Sequence, residues 1–124
     1  MPYGSLLTDV VQSSTAGTPP QFNDGNGTQI GTLCRAWVKF VGSTGAISGA
    51  FNVSSVTRSG TGQYVVTFSN AMPNANYAWS RATDGTWYGA ETSAPTTTTL
   101  AFYFTNAAAN AYVDPGYVSV SVFR

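Results

Sequence analysis

The sequence contains no histidine. Histidine is the commonest general base in enzymes and a frequent metal ligand, so its absence excludes a Ser-His or Cys-His nucleophilic site within one chain. Asp84 and Glu91 are the one pair of carboxylates that could cleave a glycosidic bond beside aromatic residues. Asp84, however, precedes a glycine in a turn-forming sequence, where a structural role is much commoner. The sequence carries no phosphate-binding loop or other enzyme motif, so we expect a protein that is not an enzyme and needs no cofactor.

Charged residues are also scarce. They make up 8% of the chain, against about 25% in an average soluble domain. Five basic and five acidic residues cancel, and so few charges build no basic surface, so no nucleic-acid partner is predicted. A chain that covers much of its surface in an oligomer depends less on surface charge for solubility. The deficit therefore indicates self-assembly.

The sequence lacks a second cysteine and any long apolar run. With Cys34 alone, no disulfide forms within the chain, which suits assembly in a reducing cytoplasm. We predict that Cys34 is a small buried hydrophobic residue. No apolar run approaches the length of about 18 residues that a membrane-spanning helix needs, and no basic segment followed by an apolar core indicates a signal peptide. We expect neither membrane insertion nor a secretory leader.

What the sequence does contain is a series of short alternating segments typical of β-strands. In residues 34–41, apolar side chains alternate with Arg35 and Lys39, which is the period-two pattern of a half-buried strand. The sets of residues that share one face of their segment are Cys34, Ala36, Val38 and Phe40; Tyr64, Val66 and Phe68; Leu100, Phe102 and Phe104; and Val118, Val120 and Val122. We expect the first and last of these faces to lie on a hydrophobic core.

Turn-forming sequences separate these segments, for example Ser59–Gly62, where glycine supplies the positive φ that hairpin loops commonly need. At Ser54-Ser55 the apolar alternation shifts, which predicts a β-bulge. The alanine-rich residues 106–111 are too few and too poorly capped for a stable helix. About seven short strands at a spacing of about 8–12 residues predict an all-β protein, with an antiparallel β-sandwich or jelly-roll-like module over residues 34–124.

Residues 1–33 differ from the rest because they are polar and rich in residues that break secondary structure. We interpret them as an extended arm that attaches to a neighbouring protein, with a disordered terminus as the alternative. The apolar side chains expected to make that attachment are Tyr3, Leu6, Leu7, Val10 and Val11. The run from Leu6 to Val11 suits a strand or one turn of helix. Residues 23–27 predict a turn, and because Asp24 has no matching glutamate of a calcium loop, we predict no metal site.

The region from Cys34 to Tyr77 contains four motifs, CRAWVKF, FNVSSVT, GTGQYVVTF and AMPNANY. With these motifs it resembles a domain found in tail-fibre and other virion fibre proteins of tailed bacteriophages, especially phages of aquatic bacteria such as cyanophages. The resemblance covers roughly a third to a half of the chain. It implies a β-rich, homotrimeric structural module of a tail fibre, head fibre or decoration protein, exposed on the virion and assembled in the host cytoplasm. It also implies attachment to other virion proteins through the N-terminal arm.

Aromatic residues outside the expected core point to an alternative function. Trp and Tyr rings cover the apolar face of a sugar while their N–H or O–H groups find a polar partner. Trp87 and Tyr88, which follow an Asp-Gly turn, and Tyr112, in a loop before the last strand, are the candidates for contact with a host polysaccharide or receptor. Packing in the core is the competing interpretation, and Trp37 and Trp79 are expected in the core or between subunits. The alternative function is an adhesin tip that recognises the host cell surface.

Overall fold

A computed structural model describes residues 4–16 and 19–124. The chain divides into two compact units, Met1–Thr32 and Leu33–Arg124. In the smaller unit, strand β1 (Phe22–Asn23) pairs antiparallel with β2 (Gln29–Gly31). The Asp24 carboxylate accepts hydrogen bonds from the backbone N–H groups of Asn26 and Thr28, each at 2.9 Å. The turn predicted at residues 23–27 is therefore confirmed, and Asp24 stabilises it.

Residues 4–16 form neither a helix nor a strand. The side chains of Leu6 and Leu7 are 80% and 95% exposed, and those of Val10 and Val11 are 70% and 61% exposed. Tyr3 lies outside the described residues. Attachment of this segment to another protein stays a prediction, and its exposed apolar side chains are consistent with it.

The larger unit, Leu33–Arg124, is described throughout and folds as a β-sandwich. Its strands are β3 (Cys34–Val41), β4 (Ile47–Phe51), β5 (Val53–Gly60), β6 (Gln63–Phe68), β7 (Ala78–Thr83), β8 (Tyr88–Glu91), β9 (Thr99–Thr105) and β10 (Tyr117–Phe123). The first sheet has the order β4-β3-β10-β7 and the second sheet has the order β5-β6-β9-β8. All neighbouring strands are antiparallel. The predicted all-β class and antiparallel sandwich are confirmed, and no helix long and apolar enough to cross a membrane occurs among the described residues.

The core lies between the two sheets and follows the predicted alternation. Its members on the four central strands are Ala36, Val38 and Phe40; Tyr64, Val66 and Phe68; Leu100, Phe102 and Phe104; and Val118, Val120 and Val122, all at most 5% exposed. Because successive side chains of a strand point to opposite faces, each of these strands presents its remaining side chains outward. Burial of one such Phe or Leu side chain contributes about 1.5–3 kcal/mol to stability.

The prediction that Cys34 is buried is wrong, since its side chain is exposed. Cys34 is the first residue of β3 and pairs with Phe123 beyond a register shift that follows Val122. The alternation of buried and exposed residues therefore begins at Ala36 and does not extend back to Cys34, which lies at the margin of the sandwich. The thiol lies 3.3 Å from the backbone oxygen of Ala36.

The chain passes from the first sheet to the second at Asn52, the single residue between β4 and β5. Asn52 has a φ of 54°, a left-handed conformation that Asn adopts more readily than most residues. Its side-chain amide donates to the backbone oxygens of Arg35 at 3.0 Å and Asn70 at 3.2 Å, and it accepts from the Asn70 N–H at 2.7 Å. Just beyond, the register of β5 shifts between Val53 and Ser55, which confirms the predicted bulge.

Candidate functional site

Three residues form a row across the outer face of the second sheet, at the end of β9. Thr105 pairs with Tyr88 of β8 on one side and forms a β-bridge with Tyr112 on the other side. Directly paired residues of antiparallel strands place their side chains on the same face. Thr105 alternates with the core residues Phe102 and Phe104, so this face is the outer one. The structure thus brings together two of the three predicted recognition residues, Tyr88 and Tyr112, on either side of Thr105.

Tyr103 lies on the same outer face, two residues before Thr105. Its ring centroid is 5.6 Å from that of Tyr112, and the two ring planes are at 88°. This edge-to-face arrangement is favourable for aromatic pairs. A shallow cavity of about 270 Å³ opens beside the pair and is lined by Tyr103, Thr105, Ala109, Asn110, Ala111 and Tyr112, which together we name the tyrosine groove.

Hydrogen bonds within the loop fix the wall of the tyrosine groove. The Asn106 amide donates to Oδ1 of Asn110 at 2.8 Å, and the backbone N–H of Asn110 donates to Oδ1 of Asn106 at 3.2 Å. The Asn106 N–H also donates to the Ala111 oxygen at 3.0 Å. Between them Ala109 has a φ of 55°, a left-handed conformation that is uncommon for alanine. The loop is thus a closed, internally bonded turn, which confirms that residues 106–111 are not helical.

Asp114, two residues after Tyr112, anchors the base of this loop. Its carboxylate accepts hydrogen bonds from Arg58 Nε at 3.0 Å, Arg58 Nη2 at 2.6 Å and the backbone N–H of Gly62 at 2.7 Å. The Tyr64 hydroxyl lies 2.8 Å from Asp114 Oδ1 and 2.9 Å from the Gly42 carbonyl oxygen, so its one proton serves both acceptors. Four donors from three parts of the second sheet therefore hold one carboxylate.

These contacts change the acidity of the groups involved. The Arg58 guanidinium lowers the pKa of Asp114 to about 2, and the Gly62 and Tyr64 bonds act in the same direction. Burial raises the pKa of Tyr64, and the neighbouring Asp114 raises it further. The hydrogen bond to Asp114 likewise raises the pKa of Arg58. At neutral pH the anchor is therefore an ion pair with a neutral phenol beside it.

Trp87, the third predicted recognition residue, is not part of this surface. It is partly buried and packs against the core. In the part of the chain that the structure describes, its Nε1 is buried without a hydrogen-bond partner. Trp87 precedes β8 by one residue, so it lies on the same side as Gly89, which pairs with the core residue Phe104. Adjacent residues of a strand point to opposite faces, which separates Trp87 from Tyr88.

Asp84 and Glu91, the carboxylates considered for glycoside cleavage, each accept a hydrogen bond within the fold. Asp84 Oδ1 accepts from the backbone N–H of Gly116 at 3.0 Å, and Glu91 Oε1 accepts from Trp79 Nε1 at 2.7 Å. The Trp79 ring lies 5.2 Å from that of Phe102, as expected for a residue in the core. Within residues 4–16 and 19–124, no group of three side chains is arranged to hold a metal ion.

The outer face of the first sheet carries five large apolar side chains, interrupted by Lys39 on β3 and by Ser119 and Ser121 on β10. Its large side chains are Trp37, Val41, Phe51, Tyr117 and Phe123, each between 37% and 56% exposed, and we name them the first-sheet face. Trp37 pairs with Phe51 across β3 and β4, and Val41 pairs with Tyr117 across β3 and β10. The Lys39 ammonium lies 4.8 Å from the centre of the Tyr117 ring. Trp37 is therefore a surface residue within one chain.

Sequence reasoning missed Tyr103 as a site residue. Its position was readable, since Tyr103 has the opposite parity to the apolar residues of its strand. What the sequence did not show is that the loop after β9 folds back to place Tyr112 against Tyr103.

Comparison with protein-family models, curated proteins and solved structures finds no match. The kinship of residues 34–77 with phage fibre modules accordingly stays a resemblance.

Proposed function

We propose that this chain is a structural protein of a bacteriophage virion, a fibre or decoration module that assembles as a homotrimer and is exposed on the particle. Residues 1–33 attach it to other virion proteins. The proposal is supported by the resemblance of its motifs and by the sandwich fold. The observation that carries it is the first-sheet face, a set of five exposed large apolar side chains on a chain with very few charges.

The large apolar side chains of this face favour contact with a partner. Monomeric soluble proteins seldom expose large apolar patches, and such patches mark interaction surfaces. The paired aromatic residues Trp37 and Phe51 lie together on β3 and β4, and β4 is an edge strand. Edge strands invite pairing with other chains unless charges or bulges prevent it. Association of identical chains through this face covers both the apolar side chains and the edge.

The native mass of the purified chain, measured by light scattering after size exclusion, tests the assembly. We expect the wild-type mass to equal three chains and the Trp37→Glu variant to be monomeric, because it places a charge in the apolar face. Tyr88→Glu is the matched control, since Tyr88 is similarly exposed on the other sheet. A monomeric wild type, or a Trp37→Glu variant that remains trimeric, would contradict assembly through this face.

Location on a particle needs a separate experiment. A gold-labelled antibody against the chain, applied to purified phage particles that encode it, is expected to decorate tails or capsids at fixed positions. If no particle carries the label, the proposed virion function fails, whatever the oligomeric state.

A second candidate function is recognition of the host cell surface by an adhesin tip. The specific observation that favours it is the tyrosine groove, in which Tyr103 and Tyr112 meet edge to face beside an open cavity. The two functions are compatible because a fibre module can carry a recognition surface. Binding of the chain to host cells, and loss of that binding in groove variants, would separate recognition from a purely structural role.

A further inference from the structure

We infer that the tyrosine groove binds one ring of a neutral saccharide, with Tyr112 and Tyr103 as the stacking residues and Asn110 as the polar contact. This inference rests on the second candidate function and assigns its ligand class. Of the three residues expected from the sequence, only Tyr112 lines the groove; Trp87 and Tyr88 do not, and Tyr103 is added.

The aromatic geometry suits a sugar ring. Tyr112 is 50% exposed, and its ring is nearly perpendicular to that of Tyr103. Two perpendicular rings form a corner that offers an aromatic face on one side and a second apolar wall on the other. The C–H face of a pyranose packs on such a ring, while its hydroxyl groups need polar partners at the rim.

Polar partners are present at that rim. The tyrosine and threonine hydroxyls both donate and accept hydrogen bonds, and Tyr103, Thr105 and Tyr112 all line the cavity. The Asn110 amide accepts from Asn106 through Oδ1, so its two N–H groups are the ones available to a ligand. This set of uncharged donors and acceptors matches the hydroxyl groups of a sugar.

The charge around the cavity selects a neutral ligand. None of the six lining residues, all of them described, is charged. The nearby Asp114 is compensated by the Arg58 guanidinium. A sulfated, carboxylated or cationic sugar would lose hydration in the groove without gaining an ion pair, which is unfavourable.

The groove is held in shape before a ligand arrives. Two hydrogen bonds between Asn106 and Asn110 close the loop, and Asp114 anchors its base through the Gly62 N–H. A preorganised site loses less conformational entropy on binding. A cavity of about 270 Å³ nevertheless contacts only one sugar ring and part of a second, so each site binds weakly. Display of several copies on one assembly strengthens attachment through multivalency.

The test is a printed array of neutral di- and trisaccharides, together with sulfated and carboxylated analogues of the same sugars. The full-length wild-type chain is compared with Tyr112→Ala, Tyr103→Ala, Tyr112→Phe and Phe22→Ala. We expect the wild type to bind neutral saccharides and the first two variants to lose at least about 10-fold in apparent affinity, which is equivalent to about 1.4 kcal/mol. Tyr112→Phe keeps the ring and is expected to stay within about 3-fold of wild type. Phe22→Ala, which removes a half-exposed ring from the hairpin of the smaller unit, lies outside both the groove and the first-sheet face and is expected to bind as wild type does.

Thermal unfolding of each variant establishes that it is folded. If an alanine variant does not fold, Asn110→Asp provides the second test. It keeps an oxygen that accepts from Asn106 but removes both side-chain N–H donors, so it is expected to weaken binding of the same neutral saccharides. Saturation-transfer NMR with a bound saccharide should show transfer to the protons of its C–H face.

The inference is overturned if the wild type binds no neutral saccharide or binds only charged ones, or if the groove variants bind as well as the wild type. Particle labelling is independent of all these outcomes, so loss of the groove inference leaves the virion proposal standing.

Discussion

Arg58 and Asp114, which lie 56 residues apart in the sequence, form a bidentate pair through two hydrogen bonds of 3.0 and 2.6 Å. Arg58 belongs to β5, and Asp114 belongs to the segment that leads from the tyrosine groove into β10. The pair therefore fixes the position of the groove loop on the second sheet. Bidentate bonds between arginine and a carboxylate are stronger and more directional than ordinary hydrogen bonds.

Acid should weaken the fold through Asp114. Its pKa is lowered from 3.8 to about 2 in the folded chain, so the unfolded chain binds the proton more readily. The stabilisation that ionised Asp114 gives the fold is complete above about pH 4 and is lost as the pH falls from about 4 to about 2. It amounts to at most about 2 kcal/mol. Urea unfolding between neutral pH and pH 2 measures it.

Asp114→Asn isolates this contribution. The variant cannot ionise at that position, so its stability is expected to fall less steeply over the same acid range. At neutral pH it should be less stable than wild type by about 1–3 kcal/mol, because it loses the charge that accepts these bonds. An acid dependence unchanged from wild type would show that another carboxylate dominates.

Tyr64→Phe should destabilise the sandwich by about 1–2 kcal/mol, since the lost hydroxyl leaves buried acceptors with fewer donors. The affected acceptors are Asp114 Oδ1 and the Gly42 oxygen. The ring itself stays in the core, so packing is little altered. Chemical denaturation of Tyr64→Phe measures the loss, and Tyr88→Phe, with an exposed ring, is the control expected to change stability by less than about 0.5 kcal/mol.

Sequence patterns were sufficient to predict the core but not the groove. Alternation placed Phe40 and Val118 in the core, and it grouped Phe102 with the residues that share its face, because the period of a strand is local information. The partner of Asp114 was not predictable in this way, since Arg58 reaches it only through the folded sheet. The same limit applies to the pairing of Tyr103 with Tyr112, which depends on how the loop closes.

Local patterns also fail at the ends of strands. Cys34 has the parity of the core but pairs with β10 only beyond a register shift, and its side chain is exposed. The sequence makes Trp87 and Tyr88 joint candidates for recognition, although adjacent residues entering a strand point to opposite sides. The structure accordingly places the ring of Trp87 against the core and leaves Tyr88 59% exposed.

Alkaline pH should weaken the fold through Tyr77. Burial raises the pKa of Tyr77 to about 12, and the negative charge of Glu91 adds to the effect. The unfolded chain ionises near pH 10, so the stabilisation is complete below about pH 10 and is lost as the pH rises towards 12. Ultraviolet difference absorbance should show tyrosines that ionise only at high pH or on unfolding. Tyr77→Phe is expected to reduce the alkaline loss of stability, and an identical alkaline profile for this variant would refute the assignment.

Asn52 should contribute to stability in two separable ways, through its backbone conformation and through its side-chain amide. Asn52→Gly keeps the positive φ without strain but loses the bonds to Arg35 and Asn70, so we expect it to destabilise the sandwich by about 1–2 kcal/mol. Asn52→Ala loses the same hydrogen bonds and also forces alanine into the left-handed region, which costs about 1 kcal/mol more.

Denaturant unfolding of both variants checks this order of stability. Asn74→Ala, in an exposed turn, is the control for loss of a local asparagine hydrogen bond. If the glycine and alanine variants are equally stable, the crossing between the sheets does not depend on the left-handed conformation. If the glycine variant is as stable as wild type, the hydrogen bonds of the Asn52 side-chain amide contribute nothing measurable to the stability of the sandwich.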